Sequence, residues 1–397
     1  MNSPADRFPL GALLVLAAIG FTAITTELLP SGLLPQISSD LGVSEPVAGY
    51  LTAGYAAIIV VTVLPAAMLL SRVPKHTLLL ILILTFAASN ALIAFVPSFG
   101  WALGARLVGG IAHGLLWSTM APFVARIVPA SKVGKALAIV FAGNSLGLAI
   151  GAPVGTALGG LLGWRGSFLC LAGTGIVLAV LAFKLLPPVH RIPDSVRPSL
   201  RMAIKQPGVK IVATAWPLML MAHFALFTYI APFLREADLP PYSVTISLTV
   251  LGVAGLLGIW VAGITVDSRP RISLLITTAA TAVSMLLLPV LGLNLVGAIL
   301  MLTVWGAGIG AMGIYNQSAI LRAGGEYRDA ANGLTVLTIQ IGITIGALYG
   351  AAALTLVGAL LVPVAAAVPV VMALVLTFLG RGHAYPAGPL ERQPTKP

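Results

Sequence analysis

Twelve stretches of roughly 20 apolar residues, each long enough to cross a bilayer, leave this chain one solvent in which to fold. They run Leu10–Leu34, Pro46–Leu70, His76–Val96, Gly100–Val124, Gly134–Gly160 and Trp164–Leu186, then Val209–Leu234, Tyr242–Val266, Ile272–Leu291, Asn294–Leu321, Asp329–Leu354 and Val357–Gly380. In hydrocarbon every backbone N–H and C=O must be satisfied within the protein, so spans of this length are helices. Of 397 residues, 58% are hydrophobic and 8% charged, whereas soluble domains are about a quarter charged. A soluble enzyme is thereby excluded, and so is a disordered chain. The expected fold class is an all-α membrane protein of twelve transmembrane helices.

Most spans are joined by short polar or Pro/Gly turns. The link from Pro187 to Gly208 is longer, basic and Pro-bearing. It divides the chain into a six-helix half, residues 1–186, a linker, 187–208, a second half, 209–380, and a tail, 381–397. The net charge of +11 reports topology. Nearly all Lys and Arg fall in the tails and in the loops that share their side, with Arg165 and Arg235 opposite and Arg106 inside span four. The positive-inside rule places both termini and the linker in the cytoplasm. No basic stripe interleaved with aromatics points to nucleic acid. Span one carries Glu27 and is too long for the apolar region of a signal peptide, so it is expected to remain in the membrane. The single Cys170 excludes an intramolecular disulfide.

A shift of 196 residues superposes two turns. Ser71-Arg72-Val73-Pro74-Lys75 falls on Asp267-Ser268-Arg269-Pro270-Arg271, Leu78-Leu79 on Leu274-Leu275, and Asn144 on Gln340. Six plus six spans with such matches suggest parallel repeats related by an axis along the membrane normal, with a binding site near mid-membrane between the halves.

Ionisable groups inside hydrocarbon cost about 2.5–3.5 kcal/mol on insertion scales and therefore face a cavity or a partner. Four lie well inside the spans: Glu27 in span one, Arg106 and His113 in span four, and His223 in span seven. Spans one, four, seven and ten are the first helices of three-helix units, and a ring of first helices would line one cavity. A carboxyl held away from water keeps its proton to higher pH than a solvated one, which suits Glu27 to carrying protons. The alternative is a structural ion pair, for instance with Arg106. Arg106 itself either tunes the acid or snorkels outward. His113 and His223 can bind a solute or relay protons; alternatively each is a neutral ring satisfied by a carbonyl. Neither has a His or Cys at helical spacing, which disfavours a metal site.

Asn144, Tyr229, Asn316, Gln317 and Gln340 are the polar uncharged candidates for solute contact, and they suit interhelical hydrogen bonding equally well. In span five Gly147, Gly151 and Gly155 recur every fourth residue, baring one face for close approach of another helix, and Pro153 can bend it. That face serves either as a pivot or as static packing. Asp267 ends span eight on the cytoplasmic side, where pairing with a nearby cation or a helix N-terminus would hold one conformation closed.

These features resemble the major facilitator superfamily. Its loop motif after span two, Gly-x-x-x-Asp-Arg-x-Gly-Arg-Arg/Lys, is matched by Arg72 and Lys75, with Ala67 and Ser71 in place of Gly and Asp. The second copy keeps Gly263 and Asp267 but has Ser268. Arg106 to Gly110 matches the span-four motif Arg-x-x-x-Gly, and the span-five Gly/Pro pattern resembles the antiporter motif, with Ala152 between Gly151 and Pro153. A narrower similarity is to bacterial sugar efflux transporters of the drug:proton antiporter group. It rests on Thr25-Thr26-Glu27, Pro30 and Gly32-Leu33-Leu34; Ala112-His113, Trp117-Ser118 and Arg126; Gly163-Trp164-Arg165 and Phe168; and Ala222-His223, Tyr229-Ile230 and Pro232-Phe233. Ala231 stands where that family often has Glu.

The resemblance implies proton-coupled efflux of small polar molecules across the inner membrane, sugars first; related branches export chloramphenicol or purine nucleosides. Glu27, Arg106 and His113 would couple protons. Glu27, His113, Asn144, His223, Tyr229, Asn316, Gln317 and Gln340 would meet the cargo. Arg72, Lys75, Gly147, Gly151, Pro153, Gly155 and Asp267 would gate. No cofactor is expected; the partners are cargo, protons and lipid, and the chain is expected to act as a monomer. An enzyme would need a nucleophile–base pair or a metal set, and neither HExxH, Gly-x-Ser-x-Gly nor a Walker loop occurs.

Overall fold

A computed structural model describes residues 9–70, 73–129, 132–188 and 200–385. The described residues form helices and turns with no β-strand. We label the long helices α1 (Leu10–Asp40), α2 (Tyr50–Leu69), α3 (Lys75–Phe95), α4 (Phe99–Ile127), α5 (Val133–Leu146) and α6 (Ala152–Leu185). The second series is α7 (Pro207–Phe227), α8 (Ser243–Thr265), α9 (Pro270–Leu291), α10 (Leu295–Gly324), α11 (Arg328–Val357) and α12 (Val362–Leu379). Arg72, which the sequence marks for gating, lies outside the described residues, as do 189–199 of the linker and 386–397 of the tail.

Among the described residues eleven stretches are long and apolar enough to span a membrane, and one, Lys135–Leu185, has 51 residues. That stretch is two spans. Gly163 breaks it with φ 72 and ψ 166, a conformation open to a residue without Cβ. Ser167 then donates to the carbonyl of Gly155, 3.2 Å away and twelve residues back. In an unbroken helix those residues would stand about 18 Å apart, so the chain reverses at Gly163 and the spans number twelve. The next two residues pin the turn. Trp164 Nε1 and Arg165 Nε both donate to Asp40 Oδ2 at 3.0 Å, and Arg165 Nη1 donates to the carbonyls of Ala94 and Val96. The Gly-Trp-Arg signature thus ties the ends of α1 and α3 to the start of span six.

Large apolar side chains such as Leu69, Phe95, Leu161, Phe183 and Leu356 are largely exposed. In water so much apolar surface would drive association; in a bilayer it is the solvent-facing surface.

The chain divides into two compact units. One comprises 1–195, 228–232 and 244–249; the other comprises 196–227, 233–243 and 250–397. In the first, α1 packs on α5 and α6, and α3 packs on α4 and α6; in the second, α7 packs on α11, and α9 packs on α10 and α12. The internal repeat also appears in the backbone. Gly358, 195 residues after Gly163, has φ 80 and ψ 164.

The glycine stripe of span five extends from Gly143 to Gly159. A Cβ on Gly143, Gly151, Gly155 or Gly159 would strike Ala17, Thr25, Leu29 or Leu33 of α1, and one on Gly147 would come within 2.9 Å of Ile24. The bare face lets the backbone of α1 approach at Gly143 and Gly147 and seats the side chains of Thr25, Leu29 and Leu33 against Gly151, Gly155 and Gly159. Residues Gly147–Gly151 form a π-turn between α5 and α6. Pro153 lacks an N–H, so the carbonyl of Ala149 has no i+4 donor, and the wider turn falls at this weak point. The repeat explains why span eleven, helical throughout Arg328–Val357, needs no such turn. Its Gly342 and Gly346, packed on Leu220 and Met221 of α7, follow Gly147 and Gly151 by 195 residues, whereas Gln340 follows Asn144 by 196. Span five therefore holds one more residue than span eleven at that point, and an i→i+5 turn is how a helix absorbs it.

Candidate functional site

The polar core of the first unit begins with a proline. Pro30 has no N–H, which deprives the carbonyl of Thr26 of its helical donor. Arg106 supplies a replacement: Nη1 donates to Thr26 O at 2.9 Å, Nη2 to Glu27 O at 3.2 Å and Nε to Leu51 O at 3.3 Å. Its guanidinium also lies 3.9 Å from the centre of the Tyr55 ring. Arg106 is only 2% exposed. It does not snorkel; it holds α1, α2 and α4 together by the planar fork that distinguishes Arg from Lys.

Two turns further along α4, His113 faces the same space. Its Nδ1 is hydrogen-bonded to Tyr55 Oη at 2.8 Å, and its Nε2 accepts from Trp117 Nε1 at 2.6 Å. The same Nε2 lies 3.9 Å from Glu27 Oε2. Glu27 is 3% exposed and His113 1%. At 3.9 Å the acid and the imidazole lie within ion-pair range but beyond hydrogen-bond reach, so direct proton exchange would require them to draw closer. Trp117 stacks on Phe141 of α5 with rings 5.8 Å apart and nearly parallel. A Cβ on Gly20 of α1 would lie 3.3 Å from the Trp117 ring and 3.7 Å from the backbone nitrogen of Asn144, so Asn144 borders this cluster. Glu27, Arg106 and His113 are brought together; Tyr55 and Trp117 complete them, although sequence reasoning did not select either for the site.

In the second unit His223 sits among rings. Phe224, Phe227 and Trp305 have centroids 4.8, 5.3 and 5.3 Å away. His223 Nδ1 and Trp305 Nε1 are buried without a hydrogen-bond partner among the described residues, as is Gln340 Oε1. Asn316 is saturated: Nδ2 donates to Met312 O at 2.9 Å and lies 3.4 Å from Met219 Sδ, while Oδ1 accepts from Tyr385 at 2.8 Å. Gln317 donates to Asn332 at 2.6 Å. Tyr385 belongs to a strap that follows α12. Arg271 secures it by donating to the carbonyls of Thr377, Phe378 and Tyr385. Tyr385 is 3% exposed, and burial pushes its phenol above the ordinary tyrosine range.

The remaining candidates lie apart from both clusters. Tyr229 belongs to the first unit, with Oη 3.5 Å from Pro46 O, and a Cβ on Gly49 would strike that hydroxyl. Lys75 opens α3 and Asp267 follows α8 at an exposed position, within electrostatic range of Arg322. Among the described residues no three His, Cys, Asp or Glu side chains converge as a metal site would require.

Helical spans coated in apolar side chains, with charged and amide groups turned inward, define a multi-pass membrane protein. The chain belongs to the Major Facilitator Superfamily, whose family profile matches residues 15–347. It is 32% identical to Transcription regulatory protein OpdE of Pseudomonas aeruginosa, covering 98% of each chain. It is 30% identical to Chloramphenicol efflux pump Rv0191 of Mycobacterium tuberculosis, over 85% of this chain and 84% of that one. It is 29% identical to a Probable sugar efflux transporter of Helicobacter pylori, over 87% and 88%. The fold is shared with a solved bacterial homologue of the human lysosomal transporter Spinster, with a TM-score of 0.77, 15% identity and full coverage of both chains.

Proposed function

We propose that this protein exports a small polar solute from the cytoplasm in exchange for protons, by alternating access in the inner membrane. Sugars are the favoured cargo; chloramphenicol and other drugs, or purine nucleosides, are the alternatives. The observation that carries the reading is the buried pair Glu27 and His113, 3.9 Å apart and shut off from water. An acid in such a setting is costly to keep inside a span and is suited to taking up a proton on one side and releasing it on the other. The membrane potential contributes about 2.3 kcal/mol per charge per 100 mV. Efflux as the direction is supported by the relatives named for sugar and chloramphenicol efflux.

In this reading Glu27, Arg106 and His113 manage the proton. His223 and Gln340, with buried polar atoms unpaired, are the readiest to meet cargo, with Asn144 beside the proton cluster. Asn316 and Gln317 would first have to release Tyr385 and Asn332, and Tyr229 would act from the first unit. Arg72, Lys75 and Asp267 gate the cytoplasmic side, and the Gly147–Gly155 stripe with Pro153 lets span five move on α1. Both termini face the cytoplasm and the monomer is the working unit.

The test is uptake of radiolabelled sugars, nucleosides and chloramphenicol by proteoliposomes under an imposed pH gradient. Glu27→Gln is expected to abolish gradient-driven transport while leaving cargo binding. Undiminished pH-driven transport by that variant would defeat the assignment.

A further inference from the structure

His113 Nε2 is claimed by two groups that need it in opposite states. The indole of Trp117 is only a donor, so its 2.6 Å contact requires a bare lone pair on Nε2. A neutral imidazole then carries its hydrogen on Nδ1 and presents it to Tyr55 Oη, 2.8 Å away. The carboxylate of Glu27, 3.9 Å from the same Nε2, is only an acceptor when ionised. It gains a hydrogen bond from His113 only when Nε2 carries a hydrogen. One nitrogen cannot satisfy both neighbours at once.

We propose that Trp117 is a positioning residue for proton exchange: it holds His113 in the Nδ1–H tautomer and must leave when Nε2 takes up a proton. This rests on the reading of Glu27 and His113 as the proton pair. The step is balanced. A proton passes from the Glu27 carboxyl to the Nε2 lone pair; the products are a carboxylate and an imidazolium, joined by a new Nε2–H···O contact. The displaced indole N–H loses its acceptor.

The groups that face His113 are few. α1 supplies Glu27, α2 supplies Tyr55, and α4 supplies Arg106 and Trp117 itself. α3 contributes the apolar edge of Phe86, 6.4 Å away. Arg106 engages carbonyls and the Tyr55 face, so its charge stays fixed while the proton moves. The displaced indole is not free to go anywhere. It is stacked on Phe141 of α5 and borders Gly20 of α1, so its departure presses on the helix pair whose contact is the glycine stripe. Protonation is thereby read out on span five.

The experiment is solid-state nitrogen NMR of the full-length protein in lipid, with ring-15N histidine and the His113 signal assigned by its loss in His113→Gln. At alkaline pH the wild type should show His113 with Nδ1 protonated and Nε2 bare. Trp117→Phe, which keeps the stacking ring but deletes the donor, should move population to the Nε2–H tautomer. It should also shift the pH midpoint of transport upward by about half to one unit, a three- to tenfold change in the proton's equilibrium. A wild type already in the Nε2–H form overturns the inference without any variant, so a misfolded Trp117→Phe leaves the test intact. So does an unmoved midpoint in a folded variant when wild-type transport is pH-driven. Wild-type transport indifferent to a pH gradient would instead refute the proton-coupled reading, and the role of Trp117 in exchange with it.

Discussion

His113 and His223 look alike in sequence: each follows an alanine near the middle of an apolar span. Their surroundings differ in kind. His113 has both ring nitrogens engaged and an acid within 4 Å. His223 is walled by three aromatic rings, and its Nδ1 has no hydrogen-bond partner among the described residues. On the proposed reading, a ring with partners on both nitrogens registers a proton as an exchange of neighbours, whereas a ring with an open nitrogen in an aromatic nest accepts a guest. That reading gives the first unit the proton and the second the cargo.

The sharpest way to break this contrast is to remove the charge that organises the first unit. Arg106→Met leaves the Thr26 carbonyl without a donor and removes the bonds to Glu27 O and Leu51 O. It should cost about 1–3 kcal/mol, the range for stranding a buried polar group, read as a lowered melting temperature in detergent. Arg106→Lys should recover only part of this, because an ammonium cannot span the three carbonyls. A melting point equal to wild type would mean the cluster does not organise the unit.

The histidines themselves come next. His113→Gln should flatten the pH dependence of transport. His223→Gln should leave that profile in place and weaken cargo binding up to about tenfold, the worth of one hydrogen bond of about 1–1.4 kcal/mol. If both variants change the pH profile alike, the contrast between the units fails.

Smaller still is the strap. Tyr385→Phe removes one hydrogen bond to Asn316 and should cost about 1 kcal/mol. Unless Asn316 binds cargo, affinity should not change, so a gain in affinity would reveal the strap as a competitor for that amide. The smallest effect belongs to Arg165→Ala. Its pair with Asp40 is substantially exposed, and exposed pairs contribute roughly 0.2–1 kcal/mol; a loss well above that would show that its bonds to Ala94 and Val96 dominate.

Much of this was readable in the chain. Runs of apolar residues specify twelve spans because hydrocarbon allows few other structures, and a four-residue glycine period specifies a close helix contact. Glu27, Arg106 and His113 stand out because charge in such runs is costly. Tyr55 does not, because an aromatic ring in an apolar span looks like lipid-facing bulk, and 58 residues separate it from His113. Trp117 carried a usable signal: it follows His113 by four, on the same helical face. Pro30 carried another, since a proline inside a helix announces an orphan carbonyl four residues back. No pattern, however, names Arg106 as the group that answers it. The strap was hidden because its partners, Arg271, Asn316 and Tyr385, are joined only by the packing of α9, α10 and the chain end.

The π-turn at Gly147–Gly151 acts as a phase keeper: it takes up a residue that in an ordinary α-helix would rotate everything after it by about 100°. Deleting Leu148 should let the segment close into an α-helix with Gly151, Gly155 and Gly159 still against α1. One residue deleted from the unbroken helix of span eleven should instead swing Gly346 away from α7. A deletion scan should therefore find this turn more tolerant than the corresponding stretch of span eleven, because only span five has a residue to spare.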